Sequence, residues 1–201
     1  MKLNFDWKND GKLHQYCMHC HAETVERIFE NDKTFYLCRT CQKRHERSIV
    51  IDPGVEWWIG EDGEYWYESA GVFIRNSEGK FLFYERLMFP FAITVPAGHI
   101  DTGEDPLTTA RRETTEEVGY KAETFIEIGT DDIVGDSCRR GSDAHRWHTY
   151  LVPTGKVLDL EVTEKDEGHK PMWLTLDEAL TKDLTYPVRY LIEKYRDKLT
   201  A

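Results

Sequence analysis

A chain of 201 residues is long enough for one substantial core plus a small satellite module. Its net charge of −11, from 26 Lys and Arg against 37 Asp and Glu, argues against broad nucleic-acid binding. That charge would also repel phosphorylated ligands unless cations intervened. No stretch is apolar for long enough to span a membrane, and no repeat or low-complexity tract interrupts the chain.

The first element is built on cysteine. Cys17-Met18-His19-Cys20 and Cys38-Arg39-Thr40-Cys41 are two CxxC pairs separated by 17 residues. This spacing fits a C-x₂-C-x₁₅₋₂₀-C-x₂-C zinc pattern, and four thiolates complete a closed tetrahedral structural Zn²⁺ site. Disulfides are the competing reading. The opening MKLNFDWKND is too polar for a secretory leader, so a reducing, cytoplasmic location is expected and metal is favoured. His19, His21 and His45 are near enough to replace a cysteine, but the four thiolates already fill the shell. His21 and Gln42 stand where a glycine commonly follows each pair. Residues 1–48 carry nine Lys and Arg against seven Asp and Glu, so residues 49–201 carry −13. A segment this small buries too little apolar area to fold without a metal, and it reads as a zinc ribbon over 1–48. Cys138 stands alone and reads as an ordinary thiol.

Residues 49–65 form an aromatic linker, and Trp57, Trp58, Tyr65, Trp66 and Tyr67 cluster at its end and just beyond. Such rings would stack a base, line a dimer interface or glue the ribbon to the body of the chain. The last two are favoured, because aromatic clusters usually serve to bury area. Next, Ser69–Arg75 and Lys80–Arg86 flank an Asn76-Ser77-Glu78-Gly79 turn and predict a β-hairpin ending at Arg86. Phe91–Pro96 predicts a short strand.

The stretch Gly98 to Tyr120, GHIDTGEDPLTTARRETTEEVGY, then brings Gly98, Glu104, Arg112-Glu113, Glu116-Glu117 and Gly119 together. Pro106 suits a first helical turn, and Asp105 or Asp101 caps it. Through Val118 the residues Leu107, Ala110, Thr114 and Val118 share a core-facing side. Glu113, Glu116 and Glu117 share another, where like charges cost about 0.2–0.5 kcal/mol per pair. A divalent cation would offset that cost. Oxygen donors without a nearby cysteine suit Mg²⁺ or Mn²⁺ rather than zinc. A solvated acidic face is the competing reading. Gly119 fits just past the helix end.

Further strands are expected at Phe125–Gly129, His145–Val152, Glu161–Glu167 and Pro171–Leu176. The polar loop Gly129–Asp143 is of the kind that sets substrate choice. Helices come next at Leu176–Thr181 and Tyr186–Leu199, the latter with an apolar stripe of Val188, Leu191, Ile192 and Tyr195. The body is thus α+β, a mixed sheet with one helix on each side.

The spacing Gly-x₅-Glu-x₇-Arg-Glu-x₂-Glu-Glu-x-Gly resembles the Nudix box. Every charged and glycine position matches, a coincidence on the order of 10⁻⁸ per starting position from composition alone. Thr114 and Tyr120 stand where the family usually has aliphatics, and the Thr114 hydroxyl needs a partner such as the carbonyl four residues back. The resemblance implies a Nudix α/β/α sandwich over 66–201. It implies a metal-dependent hydrolase in which Glu113, Glu116 and Glu117, with Glu104 and the Gly98 carbonyl, hold Mg²⁺ or Mn²⁺. Arg112 would orient the carboxylates by pairing with Glu104 or Glu116, and Arg86 would face a phosphate. Glu164 or Glu167 would serve as general base or extra metal ligand, with Glu117 as the rival base.

A zinc ribbon joined to such a body is similar to the NADH pyrophosphatase branch, although that branch's Ser-Gln-Pro-Trp-Pro-Phe-Pro signature does not follow Tyr120. The expected reaction is cleavage of the diphosphate in a nucleoside diphosphate linked to another moiety, of the ADP-ribose or NAD(H) type, ahead of nucleoside triphosphates. The expected partner is a small-molecule nucleotide, and a homodimer is compatible with the resemblance. The alternative is a nucleotide sensor, or an RNA- or partner-binding module gripping through Arg39, Lys43, Arg44 and Arg47.

Overall fold

The computed structural model describes residues 1–201. Strand β1 (His14–Tyr16) leads into β2 (Val25–Glu30), β3 (Lys33–Cys38) and β4 (Arg44–His45), the last three forming an antiparallel sheet. The chain then returns as β5 (Ile49–Ile51), antiparallel to β1. The two CxxC pairs sit in matched turns, with the His21 amide bonded to the Cys17 carbonyl (3.1 Å) and the Gln42 amide to the Cys38 carbonyl (2.9 Å). His21 and Gln42 both take φ of 57°. The turns therefore form without glycine, at a cost of about 1–2 kcal/mol each.

The remaining strands build one mixed sheet. They are β6 (Trp57–Ile59), β7 (Tyr65–Arg75), β8 (Phe81–Arg86), β9 (Ile93–Thr94), β10 (Ala97–His99), β11 (Ile126–Val134), β12 (Ala144–Pro153) and β13 (Gly168–Leu174). Its central order is β11-β12-β7-β8-β13, with β6 and β10 added to β7 and β9 to β8. Only the β12–β7 pairing is parallel; the other ladders of this sheet are antiparallel.

Period-2 alternation in β7 and β8 places the helices. Val72, Ile74, Leu82 and Tyr84 pack with Ala110 and Val118 of α1 (Pro106–Val118). Phe73, Phe81 and Phe83 point the other way, onto Leu176 of α2 (Leu176–Leu180) and Val188, Leu191 and Ile192 of α3 (Tyr186–Thr200). A helix on each face makes the α/β/α sandwich. A third core joins Tyr16, Ile49, Ile51, Tyr65 and Tyr67, with Phe5, Trp7 and Trp57 packed around it. The hydroxyls of Tyr65 and Tyr67 both donate to the Val50 carbonyl, at 2.5 and 2.7 Å. Rings from the aromatic segment therefore bury the seam between the cysteine-bearing part and the sheet.

Three local expectations are corrected. Glu161–Glu167 is not a strand but a loop with a turn, and β13 starts only at Gly168. Five charged residues in seven leave that segment only Val162 to bury. Strand β11 does not stop at Gly129 but runs to Val134, because its ladder with β12 continues through Ile133↔His145 and Val134↔Ala144. The expected loop therefore shrinks to a hairpin end near 135–143. Tyr195 leaves helical geometry (φ −112°, ψ 19°), which kinks α3 at the last residue of the expected apolar stripe. No helix is long and apolar enough to cross a membrane.

Candidate active site

Helix α1 starts as its sequence dictates. Of the two candidate caps it is Asp105 that accepts from the Leu107 and Thr108 amides (3.0 and 3.2 Å), with Pro106 in the first turn. Gly119 closes it in the left-handed region at φ 68°, its amide and that of Tyr120 reaching the Thr115 and Thr114 carbonyls. The Thr114 hydroxyl donates to the Ala110 carbonyl at 2.7 Å, which satisfies the one polar group on the core face.

Glu113 and Glu117, one turn apart, are turned toward the sheet and buried, at 9% and 3% exposure. Glu117 accepts from the Ala97 amide at 2.8 Å. Glu113 lies against Gly98 so closely that a Cβ there would meet its Oε1 at 1.9 Å. Gly98 is thus the backbone cradle of a carboxylate. Glu116 stands half exposed at the rim. Arg112 ties the set together: Nη1 reaches Glu113 (2.5 Å) and Glu116 (3.5 Å), and Nη2 reaches Glu104 (3.1 Å) and the His99 carbonyl (3.2 Å). Both expected partners of Arg112 are therefore engaged, and Glu113 in addition. Glu104 is further fixed by the Thr109 hydroxyl at 2.6 Å.

Burial raises the Glu113 carboxyl to about 7 despite the pull of Arg112. Burial and then Glu113 push Glu117 well above the usual carboxylate range. Glu164 is raised too, by burial and then by Glu167, Glu116 and Asp166. Burial first, and then their mutual repulsion, opposes ionisation of these converging carboxylates. A hard divalent cation is what such an oxygen-rich set lacks.

In front of the carboxylates lies a cavity of about 280 Å³. Glu113, Glu116, Glu164 and Glu167 line it together with Arg86, Arg139 and Arg140. The expected Arg86, Glu164 and Glu167 thus meet the box residues at one place. The Arg86 Nε is buried without a partner, while its Nη2 reaches the Phe89 carbonyl at 3.4 Å. Arg139 lies 3.7 Å from Glu167, and Arg140 is paired with Asp52. Sequence reasoning missed His99, Asp136, Cys138, Arg139, Arg140 and His145 as cavity residues. The Arg139-Arg140 pair beside Cys138 in a polar loop was the available signal. There, Asp136 and Cys138 raise His145 to about 10 against the effect of burial. Cys138 is lowered by His145, also against burial.

The four cysteines of the ribbon converge as expected, with sulfur atoms all within 4.8 Å of one another. Cys17–Cys41 and Cys20–Cys38 are 3.7 and 3.6 Å apart. A tetrahedron of 2.3 Å Zn–S bonds has edges of about 3.8 Å, so the set fits zinc. Against its burial, the Cys41 and Thr40 amides draw the Cys38 thiol below its usual range, while burial and the neighbouring sulfurs push Cys41 up, so the four thiols resist ionising together without a cation. The basic run of the ribbon is largely paired, Arg39 with Glu26 and Arg44 with Glu30 inside the ribbon, and Arg47 with Asp143 of the body.

The NUDIX domain family model matches residues 67–195, and the chain belongs to this family. It is similar to Nudix hydrolase 26, chloroplastic, of Arabidopsis thaliana, 34% identical over 134 residues covering 58% of this chain and 62% of that protein. It is also similar to the ADP-ribose pyrophosphatase of Bacillus subtilis, 28% identical over 150 residues, 69% of this chain and 66% of that one. The chain therefore spans slightly less than two thirds of the length of these relatives. Among solved structures, the NUDIX domain of Shewanella oneidensis NrtR complexed with ADP ribose superposes with a TM-score of 0.58 at 18% identity. That match covers 71% of this chain and 94% of that one, and it shows the shared fold.

Proposed function

We propose that the protein is a divalent-metal-dependent pyrophosphohydrolase that cleaves the diphosphate of a nucleoside diphosphate linked to a second moiety, ADP-ribose or NAD(H) being the leading class. The observation that carries this is the buried pair Glu113, tied to Arg112 and packed under Gly98, and Glu117, held by the Ala97 amide, beside a cavity lined by both carboxylates and arginines. Glu113, Glu116 and Glu117, with Glu104 and the Gly98 carbonyl, would hold Mg²⁺ or Mn²⁺. The metal, when bound, neutralises diphosphate oxygens and lowers the pKa of a water.

The remaining roles belong to the chain. Arg112 fixes the carboxylates in one geometry, since a guanidinium bonded to several oxygens leaves them little rotational freedom. Arg86 and Arg139, both on the cavity lining, bind the anionic substrate. Glu164 and Glu167 are the candidates to take the proton from the attacking water, because they stand on the cavity wall. Glu117, the rival base, is fully buried and already spends an oxygen on the Ala97 amide. The Cys17, Cys20, Cys38 and Cys41 set would hold a structural Zn²⁺. The ADP-ribose pyrophosphatase of Bacillus subtilis supports the substrate class by its similarity.

The test is product release with Mg²⁺ or Mn²⁺ across ADP-ribose, NADH, NAD⁺, FAD, diadenosine polyphosphates, sugar nucleotides and nucleoside triphosphates. Hydrolysis of the linked diphosphates, lost in Glu117→Gln, supports the reading. Tight binding of one nucleotide without turnover of any would replace it with a sensor.

A further inference from the structure

The strongest cluster outside the carboxylates lines the same cavity. The Cys138 sulfur and one nitrogen each of His99 and His145 all come within 4.8 Å of one another. These residues come from three places: His99 from β10, His145 from β12, and Cys138 from the hairpin end between β11 and β12. We propose that His99, Cys138 and His145 hold a Zn²⁺ ion of their own, distinct from both the ribbon zinc and the box cations, with its open coordination position facing the cavity.

Three observations carry this. First, the donors are one sulfur and two imidazole nitrogens, the set that suits zinc rather than Mg²⁺ or Mn²⁺. A tetrahedron with Zn–N near 2.0 Å and Zn–S near 2.3 Å needs donor separations of about 3.3–3.8 Å. The observed upper bound of 4.8 Å is about 1 Å wider than that, so the three side chains would draw inward on binding. Second, His145 is oriented as a metal ligand should be. Its Nδ1 lies 3.0 Å from the Asp136 carbonyl and 3.1 Å from the Asp136 carboxylate, which leaves Nε2 for the metal. Trp147 Nε1 in turn donates to that carboxylate at 2.6 Å. A carboxylate behind a ligating imidazole is the recurrent support of zinc sites. His99 engages Arg112 through its carbonyl, which leaves its ring to the cluster, and Tyr67 lies against both imidazoles at 4.5 and 6.1 Å.

Third, the loop carrying Cys138 is held from two sides. The Cys138 amide bonds the Ser142 carbonyl (3.0 Å), while the Ser48 and Val50 amides bond the Arg139 and Arg140 carbonyls (3.1 and 3.0 Å). The sulfur is therefore presented by fixed backbone. Of the cations near the imidazoles, Arg140 is paired with Asp52 and Arg139 faces Glu167, while Arg86 has no carboxylate partner and is offset by the Cys138 thiolate. All three ligands line the cavity wall, so a fourth position is left to water or to a substrate oxygen, the arrangement of an open rather than a closed zinc site.

The experiment is a metal count on the full chain, supplied with zinc and then desalted, by plasma mass spectrometry. Wild type should hold one zinc more than Cys138→Ser and one more than His99→Gln. Cobalt substitution should give sulfur-to-metal absorption that is weaker in Cys138→Ser than in wild type, the ribbon thiolates supplying the remainder in both. If Cys138→Ser does not fold, His99→Gln decides. Equal zinc content in wild type and a folded variant overturns the proposal, including the case in which Cys138 proves only to be a reactive thiol. The difference of one equivalent is read whatever the ribbon holds and without turnover, so failure of the hydrolase reading and failure of this site are separable.

Discussion

Gly98→Ala tests the cradle. A Cβ built there meets Glu113 Oε1 at 1.9 Å, Cδ at 2.2 Å and Oε2 at 2.7 Å, against ordinary contact from 3.4 Å. The carboxylate must therefore retreat by about 1.5 Å, far beyond the roughly 0.2 Å tolerance of a metal–ligand distance. The obstructing atoms are the end of a flexible side chain, so the fold yields cheaply and the stability loss stays within about 1–2 kcal/mol. The reaction does not yield cheaply, because a misplacement of about 1 Å can cost about 10²-fold. Turnover of the best substrate should fall by about that factor, while the thermal midpoint moves by only a few degrees. Steady-state kinetics across a Mg²⁺ or Mn²⁺ titration, with a melt of the same sample, reads both. Near-normal turnover in a folded Gly98→Ala protein would refute the placement of Glu113 beneath Gly98 as a requirement of the site.

Other outcomes are expected from the same geometry. The folded state holds a proton on Glu113 up to about pH 7 that the unfolded chain has already lost, so in Mg²⁺- and Mn²⁺-free buffer stability should fall as pH rises from about 4.5 through 7. Added divalent metal should restore it, and a Glu113→Gln melt should be flatter with pH; a wild-type midpoint indifferent to both pH and metal would contradict this. Arg86→Ala should raise KM about tenfold or more with a smaller change in kcat, since Arg86 lines the cavity and its Nε has no partner in the protein. An unchanged KM would remove Arg86 from substrate binding. Glu164→Gln or Glu167→Gln should cost about 10²-fold in kcat and erase the acid limb of the pH–rate profile. If both keep the limb, the base is Glu117. Cys38→Ser should loosen the ribbon and, through Ser48, Val50 and Arg47, free the loop 136–143. Hydrogen exchange should show that loop unprotected with α1 intact and kcat/KM reduced; a loop that stays protected would sever the ribbon from the site.

Much of the site was legible because its parts are close in sequence. Helix α1, its Pro106 start, its Gly119 stop, the Thr114 back-bond and the Arg112 pairings all arise from interactions within about 20 residues. The cysteine convergence arises from two short turns. The exposed alternative at Asp101 lost to Asp105 only because one carboxylate sits where the Leu107 and Thr108 amides point. Strand lengths were less legible. Strand β11 outran its apolar pattern because β12 offered a ladder to bond to, while the run Glu161–Glu167 buries only Val162 and meets α1 and the end of β8 through single backbone bonds instead of a ladder.

The amino-acid order determined by itself the local chemistry: a thiolate cluster, a capped acidic helix, and an alternating hairpin that demands a helix on each face. Which distant groups share the cavity was decided only by tertiary pairing. The parallel β12–β7 ladder sets His145 opposite Tyr67, and the β10–β7 ladder sets His99 opposite Ser69. The two imidazoles thereby meet across 46 residues of chain, beside Cys138, Arg139 and Arg140. Parallel pairing leaves no local mark in a sequence, because its hydrogen bonds join segments whose patterns are each complete alone.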